Sequence, residues 1–148
     1  MARLRVQHCI LNDTTRQYGS HPTSDLLGVD YVHSLPADTE YPRFVPKLEL
    51  FVRFVFQDRL CGTVRITMTE LDDDGDDIRR IYARDFALPL IEDKGVLFID
   101  RSFKLVNLMI PGDATYAIRV MRRSRQAPWM KPYWKTLATE YVLFSRVL

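Results

Sequence analysis

The sequence predicts an all-β fold, a single-domain antiparallel β-sandwich of about eight strands, from three observations. Apolar and polar residues alternate with a period of two through most of the chain, as in strands with one buried face. Turn-forming residues recur about every 8–15 residues, which is the spacing of short strands. The sequence has no amphipathic helix pattern longer than about two turns. Immunoglobulin-like and jelly-roll-like sandwiches both fit these observations, and a closed β-barrel is the alternative.

Length and composition fit one globular domain over residues 1–148. A chain of this size can bury enough surface to fold without a metal ion or disulfides. Its 21 Lys and Arg residues against 19 Asp and Glu residues give a net charge of +2, which excludes a strongly basic nucleic-acid coat protein and an acidic tail protein. No stretch of about eighteen uncharged apolar residues predicts a membrane span. Gln7 and His8 interrupt the first apolar run, so that the sequence does not predict a secretory signal peptide. We therefore expect a cytoplasmic location.

The first third of the chain has the weaker strand patterns. Residues 4–11 and 26–33 are predicted strands, and residues 12–24 form a polar loop between them. Residues 34–46 contain three prolines, so that we expect an extended connection there.

The clearest strand pattern covers residues 47–57. Its predicted inward row is Leu48, Leu50, Val52, Phe54 and Phe56. The next strand, 63–69, has its own inward row of Val64, Ile66 and Met68. A short turn at 58–60, with Gly62 beside it, separates the two strands and predicts that they form a hairpin.

The second half of the chain repeats the alternation of strands and turns. Asp74-Gly75 is a hairpin turn signal, because glycine tolerates a positive φ and aspartate binds nearby backbone. The predicted strands are 78–86, 96–110 (two short strands or one bent strand), 115–122 and 137–147, and the predicted turns and loops are 72–76, 92–95, 111–113 and 123–134.

The order of several short motifs resembles that of a known family. The motifs are Leu27-Gly28-Val29-Asp30, the strand 48–56, the Asp74-Gly75 turn, Pro111-Gly112 before Tyr116-Ala117-Ile118-Arg119-Val120, and Leu137-Ala138-Thr139-Glu140-Tyr141. They resemble an uncharacterised family of small bacterial β-sandwich proteins of unknown function, and the resemblance covers most of the chain. It implies the sandwich fold and brings no catalytic residues to this sequence.

An acidic turn is the first candidate site. Six carboxylates stand within residues 70–77, and hard cations such as Ca²⁺ prefer six to eight oxygen ligands. The helix–loop–helix calcium pattern fails, since Ile81 occupies its twelfth position, where a glutamate is required. A looser calcium site remains as a hypothesis, with the ligands Glu70, Asp72, Asp74 and Asp76. The other interpretation is a solvated hairpin tip.

A basic and aromatic stretch near the end of the chain is the second candidate. Arginine and aromatic side chains together could contact a protein partner, a second copy of the chain or nucleic acid. The expected interaction residues are Arg122, Arg123, Arg125, Trp129, Tyr133 and Trp134. The alternative is a loop whose two tryptophans fold back over the edge of the sandwich.

The sequence therefore predicts a binding or assembly module and not an enzyme. Its six glycines stand singly, which excludes a phosphate-binding P-loop. The Gly-x-Ser-x-Gly pattern of hydrolases is missing too. We expect no cofactor and no membrane partner. The expected partner is another protein or a second copy of the chain, in a homodimer for example, and nucleic acid is the less favoured partner. The alternative function is a small-ligand or calcium-binding module using the acidic turn.

Overall fold

The computed structural model describes residues 4–13, 31–124 and 127–146, which contain β-strands and no helix. The strands are β1 (Arg5–Asp13), β2 (Tyr31–Leu35), β3 (Arg43–Leu60), β4 (Thr63–Leu71), β5 (Asp77–Ala87), β6 (Ile91–Ile110), β7 (Ala114–Ser124) and β8 (Tyr133–Arg146). The eight described strands confirm the all-β prediction. The predicted loop 12–24 and predicted strand 26–33 lie mostly outside the described residues.

The strands form two sheets rather than one closed barrel. Sheet A has three strands in the order β1-β3-β6, and sheet B has five in the order β2-β8-β7-β4-β5. The apolar inner faces of the two sheets share one core, so that the β-sandwich prediction is confirmed. The wholly antiparallel arrangement is wrong for one pair, because β2 runs parallel to β8. A parallel pair needs a long crossover connection, and here most of the chain lies between the two strands.

The inward rows predicted from the alternation fill this core. The inward row of β3 is at most 2% exposed and consists of Leu48, Leu50, Val52, Phe54 and Phe56. The inward row of β4, which is Val64, Ile66 and Met68, is fully buried. Phe54 packs edge-on against Phe103 of β6, with the ring centroids 6.1 Å apart. The rows face each other across the sandwich because every second residue of a strand points to the same side.

The predicted hairpin of β3 and β4 is wrong, since the two strands belong to different sheets. β3 instead pairs with β1 and β6. The chain crosses from one sheet to the other at Cys61 and Gly62, where Gly62 adopts φ +101°. Leu60 and Val64, on either side of this corner, are both buried. The alternation fixes which face of a strand is buried, but it does not say in which sheet the strand lies.

β6 is one long strand with two irregularities. The predicted turn at 92–95 is a bulge within β6, where Asp58 Oδ1 accepts a 2.7 Å hydrogen bond from the Gly95 N–H. The second irregularity is Asn107, which adopts φ +58°. Of the two sequence interpretations of 96–110, the single strand is confirmed.

A buried tyrosine fixes the corner between β6 and β7. The Tyr116 hydroxyl donates a 2.7 Å hydrogen bond to the Gly112 carbonyl, four residues upstream, as in the tyrosine corner of Greek-key sandwiches. Burial raises the pKa of Tyr116 to about 12. At the same corner, Asp113 accepts hydrogen bonds from the Tyr41 hydroxyl and the Arg146 N–H. These contacts connect the starts of β3 and β7 to the end of β8.

Candidate interaction surface

Two arginines of sheet B lie across its outer face. Arg119 of β7 reaches over the adjacent strand β4 and binds Asp77 at the start of β5, with N···O distances of 2.8 and 3.2 Å. Thr67 and Thr69 of β4 point outward, yet they are only 4% and 6% exposed. Their short side chains leave room for the Arg119 side chain, which covers them.

A second line of contacts crosses the same face from β8 to β5. The Arg65 guanidinium lies 3.9 Å from the centroid of the Trp134 ring and binds both oxygens of Asp85, at 2.7 and 3.2 Å. The hydrogen bond from Arg65 lowers the pKa of the Asp85 carboxyl. Trp134 is half-buried and belongs to β8, so that it is a structural part of this face and not of a loop folded over the sandwich edge.

The other predicted tryptophan has the opposite environment. Trp129 is 85% exposed and lies on the loop tip, residues 127–130 between β7 and β8. A turn holds the loop tip, with a 3.0 Å hydrogen bond from the Met130 N–H to the Ala127 carbonyl. The predicted loop 123–134 is shorter in the structure, because β7 continues to Ser124 and β8 begins at Tyr133.

The remaining predicted interaction residues are distributed unevenly around this loop. Arg123 and Tyr133 are exposed and Arg122 is half-buried. Arg125 lies outside the described residues. Arg123 lies directly opposite Trp134 on the neighbouring strand and therefore shares the face of Trp134. Trp129 and Tyr133 are exposed on and beside the loop tip.

The carboxylates of the acidic turn are largely occupied by neighbours. Asp72 Oδ1 accepts hydrogen bonds from the backbone N–H groups of Asp74 and Asp76, at 2.9 and 2.8 Å. Glu70 binds Arg79 at 2.6 Å. Within the described residues, no three acidic, histidine or cysteine side chains are grouped to hold a metal ion. The geometry therefore assembles no calcium site from Glu70, Asp72, Asp74 and Asp76 and favours the hairpin-tip interpretation.

An open groove of about 440 Å³ lies beside this turn on the outer face of sheet B. Arg79, Arg80 and Arg119 line it, together with Asp77. Arg79 and Arg119 pair with carboxylates, whereas Arg80 has no ion-pair partner in the described part of the chain. The groove therefore has a net positive lining.

The outer face of sheet A carries apolar side chains that the sequence analysis did not assign to any site. Val96 and Phe98 of β6 are 70% and 63% exposed. Arg53 lies 4.5 Å from the Phe98 ring centroid and binds Asp100 at 2.7 and 2.9 Å. The alternate positions of the sequence place Val96, Phe98 and Asp100 on one face of β6, but alternation alone does not show whether that face is buried or exposed.

Comparison with known proteins adds no family to this geometry. No protein-family model matches the chain, and no curated protein matches it. Among the described residues, there is no helix with the length and hydropathy of a membrane span.

Proposed function

We propose that the protein is a non-catalytic binding module that recruits another protein through the loop tip. The observation that carries this proposal is the exposure of Trp129, which is 85% accessible on a hydrogen-bonded turn. Tryptophan offers a large contact area and has only two side-chain torsions to immobilise. Exposed aromatic side chains of this kind often dominate the binding energy of an interface.

The surroundings of Trp129 indicate the chemistry of the partner. Met130 and Tyr133 are 44% and 43% exposed and extend the apolar area. Lys131 is exposed between them in the chain, and residues 122–135 contain no acidic residue. A partner with an apolar pocket and an acidic rim would match this surface, since complementary charge speeds encounter and sets specificity.

Affinity capture with matched variants tests the proposal. The bait is the full chain, and the nuclease-treated extract is compared for the wild type, Trp129→Ala and Phe98→Ala. We expect a protein that wild type and Phe98→Ala retain and Trp129→Ala loses. With that protein purified, Trp129→Ala should raise Kd by about thirtyfold or more.

Two results would contradict the proposal. One is a set of captured proteins that is identical for all three baits. The other is a captured protein whose measured Kd does not change when Trp129 is replaced. Binding that is seen with an untreated extract and is absent after nuclease treatment would instead indicate nucleic acid as the partner.

A second candidate function, small-ligand binding, is favoured by the groove on sheet B. Its arginine lining, with Arg80 unpaired in the described part, suits an anion and not the calcium ion that the acidic turn suggested. Inorganic phosphate should raise Tm for the wild type and not for Arg80→Ala. Equal shifts for both proteins would contradict this candidate.

A further inference from the structure

Among the strands that the structure describes, β6 has a partner on one side only. It pairs with β3 on one side and is the last strand of sheet A among the described residues. The irregularities at Gly95 and Asn107 leave residues 96–106 as a regular stretch. The backbone N–H and C=O groups on the outer side of a regular edge strand can pair with another strand. The exposure of Val96 and Phe98 adds an apolar surface beside this edge.

The side chains on the outer row of this stretch form a self-complementary pattern. The row reads Phe98, Asp100, Ser102, Lys104 and Val106. An apolar residue stands at each end, a negative and a positive charge follow inward, and a serine stands in the middle. An antiparallel copy of this row, centred on Ser102, places Asp100 opposite Lys104 of the second copy and Phe98 opposite Val106 of the second copy.

The sandwich limits the registers in which two β6 strands can pair. Directly opposite residues point to the same face. The two-fold axis must therefore place one residue directly opposite its own copy, and we name each axis by that residue. An axis through Asp100 or Arg101 would place that charge opposite its own copy, which is unfavourable. The axis through Ser102 brings opposite charges together twice. On the inner row it places Ile99 opposite Leu105 of the second copy.

We infer that β6 is a self-association edge, at which two copies of the chain pair antiparallel about a two-fold axis through Ser102 and join their sheets A into one six-stranded sheet. This surface is separate from the loop tip of the proposed function. Asp100 binds Arg53, and its side chain is 60% exposed. Lys104, the residue that would face it in the second copy, is exposed as well.

Two complementary charge variants test the register. Asp100→Lys places lysine opposite lysine in the dimer, and Lys104→Asp places aspartate opposite aspartate. We expect each variant alone to raise the dimer Kd by at least about tenfold. A mixture of the two variants should dimerise, because the mixed dimer restores both pairs of opposite charges. Within its own sheet, each new side chain has the same neighbours, Arg53 or Glu49, in the pure and the mixed samples. A difference in dimerisation between these samples therefore does not come from an effect of the substitution on folding.

Sedimentation velocity over about 1 µM to about 1 mM protein measures these constants. A wild-type chain that stays monomeric over this range overturns the inference. So do single variants that dimerise as strongly as the wild type, and a mixture that associates no better than its components.

A disulfide provides a second test that does not depend on charge. Ser102→Cys places the two sulfur atoms on the axis, where opposite Cα atoms of antiparallel strands are about 4.5–5.5 Å apart. Mild oxidation should link this variant into a covalent dimer. The matched control is Lys104→Cys, whose copies lie roughly 13 Å apart and should not link beyond the background from Cys9 and Cys61. Equal linking of both variants overturns the register.

The loop tip serves as the last control. Trp129→Ala should leave the dimer Kd unchanged. A dimer lost in Trp129→Ala and retained in the charge variants would overturn the β6 inference and place self-association at the loop instead. Failure of the protein-capture experiment would leave the β6 dimer unaffected.

Discussion

The outer faces of the two sheets are covered in different ways. On sheet B, the chain covers its own surface: Arg119 lies over two threonines, and Trp134 lies under Arg65. On sheet A, one arginine contacts Phe98, and this ring remains 63% exposed. An aromatic side chain on an outer face is therefore not by itself a binding site. In both sheets an arginine contacts the ring and binds a carboxylate. The difference is that Arg65 reaches across β7 to Trp134, whereas Phe98 lies on β6, the last described strand of sheet A.

The largest expected effect contrasts the two faces of sheet A. Phe54→Ala empties a fully buried position and should lower the free energy of unfolding by about 3–5 kcal/mol. Phe98→Ala removes an exposed ring and its contact with Arg53, and it should cost less than about 1 kcal/mol. Urea unfolding at a protein concentration below dimerisation measures both. Equal losses would mean that the outer face of sheet A is part of the folding core.

The next effect contrasts the two tryptophans. Trp134→Ala removes the half-buried ring beneath Arg65 and should cost about 1–2 kcal/mol. Trp129→Ala should change the free energy of unfolding by no more than about 0.5 kcal/mol. The same urea unfolding experiment compares them. If Trp129→Ala is the more destabilising variant, Trp129 packs against the rest of the protein and is not an exposed binding residue. This result would contradict the proposed function.

A smaller effect concerns the inner face of sheet B and alkaline pH. Tyr116→Phe removes one hydrogen bond and should cost about 1 kcal/mol at pH 7. The pKa of Tyr116 is raised from 10.0 to about 12, so that its contribution is complete below about pH 10 and is lost as the pH rises toward 12. Unfolding measured across this range should bring the wild type and Tyr116→Phe closer together. A constant difference between them would mean that the hydroxyl has the same pKa in the folded and the unfolded chain.

The smallest effect concerns the ion pair on the outer face of sheet B. Arg65 lowers the pKa of Asp85. The stabilisation by Asp85 is therefore present above the unfolded value of about 3.9 and is lost as the pH falls below it. Because the pair is partly exposed, Asp85→Asn should cost less than about 1 kcal/mol at pH 7, and this cost should shrink toward pH 3. Asp73→Asn, which makes the same change of charge on the acidic turn, is the control.

The alternation in the sequence was sufficient to predict the buried rows, because burial of one face imposes a period of two on each strand. The predicted pairing of β3 with β4 failed, because any two strands with apolar inner rows satisfy the same pattern whether they share a sheet or face each other across the core. The candidate site was predicted only in part. Trp129 and Trp134 are equivalent in the sequence, and only the position of Arg65 on a distant strand distinguishes them.

The parallel pairing of β2 with β8 has a consequence for the order of folding. β2 has no other strand neighbour among the described residues, and its partner positions on β8 begin at Val142. During synthesis, the segment around β2 must wait until nearly all of the described chain has left the ribosome before its strand can dock. Contacts between such distant positions slow folding, since the intervening chain loses conformational entropy when they form. The segment of β2 therefore stays without its strand partner until β8 has been synthesised. During this interval it can aggregate, and a chaperone that binds exposed strands would prevent this.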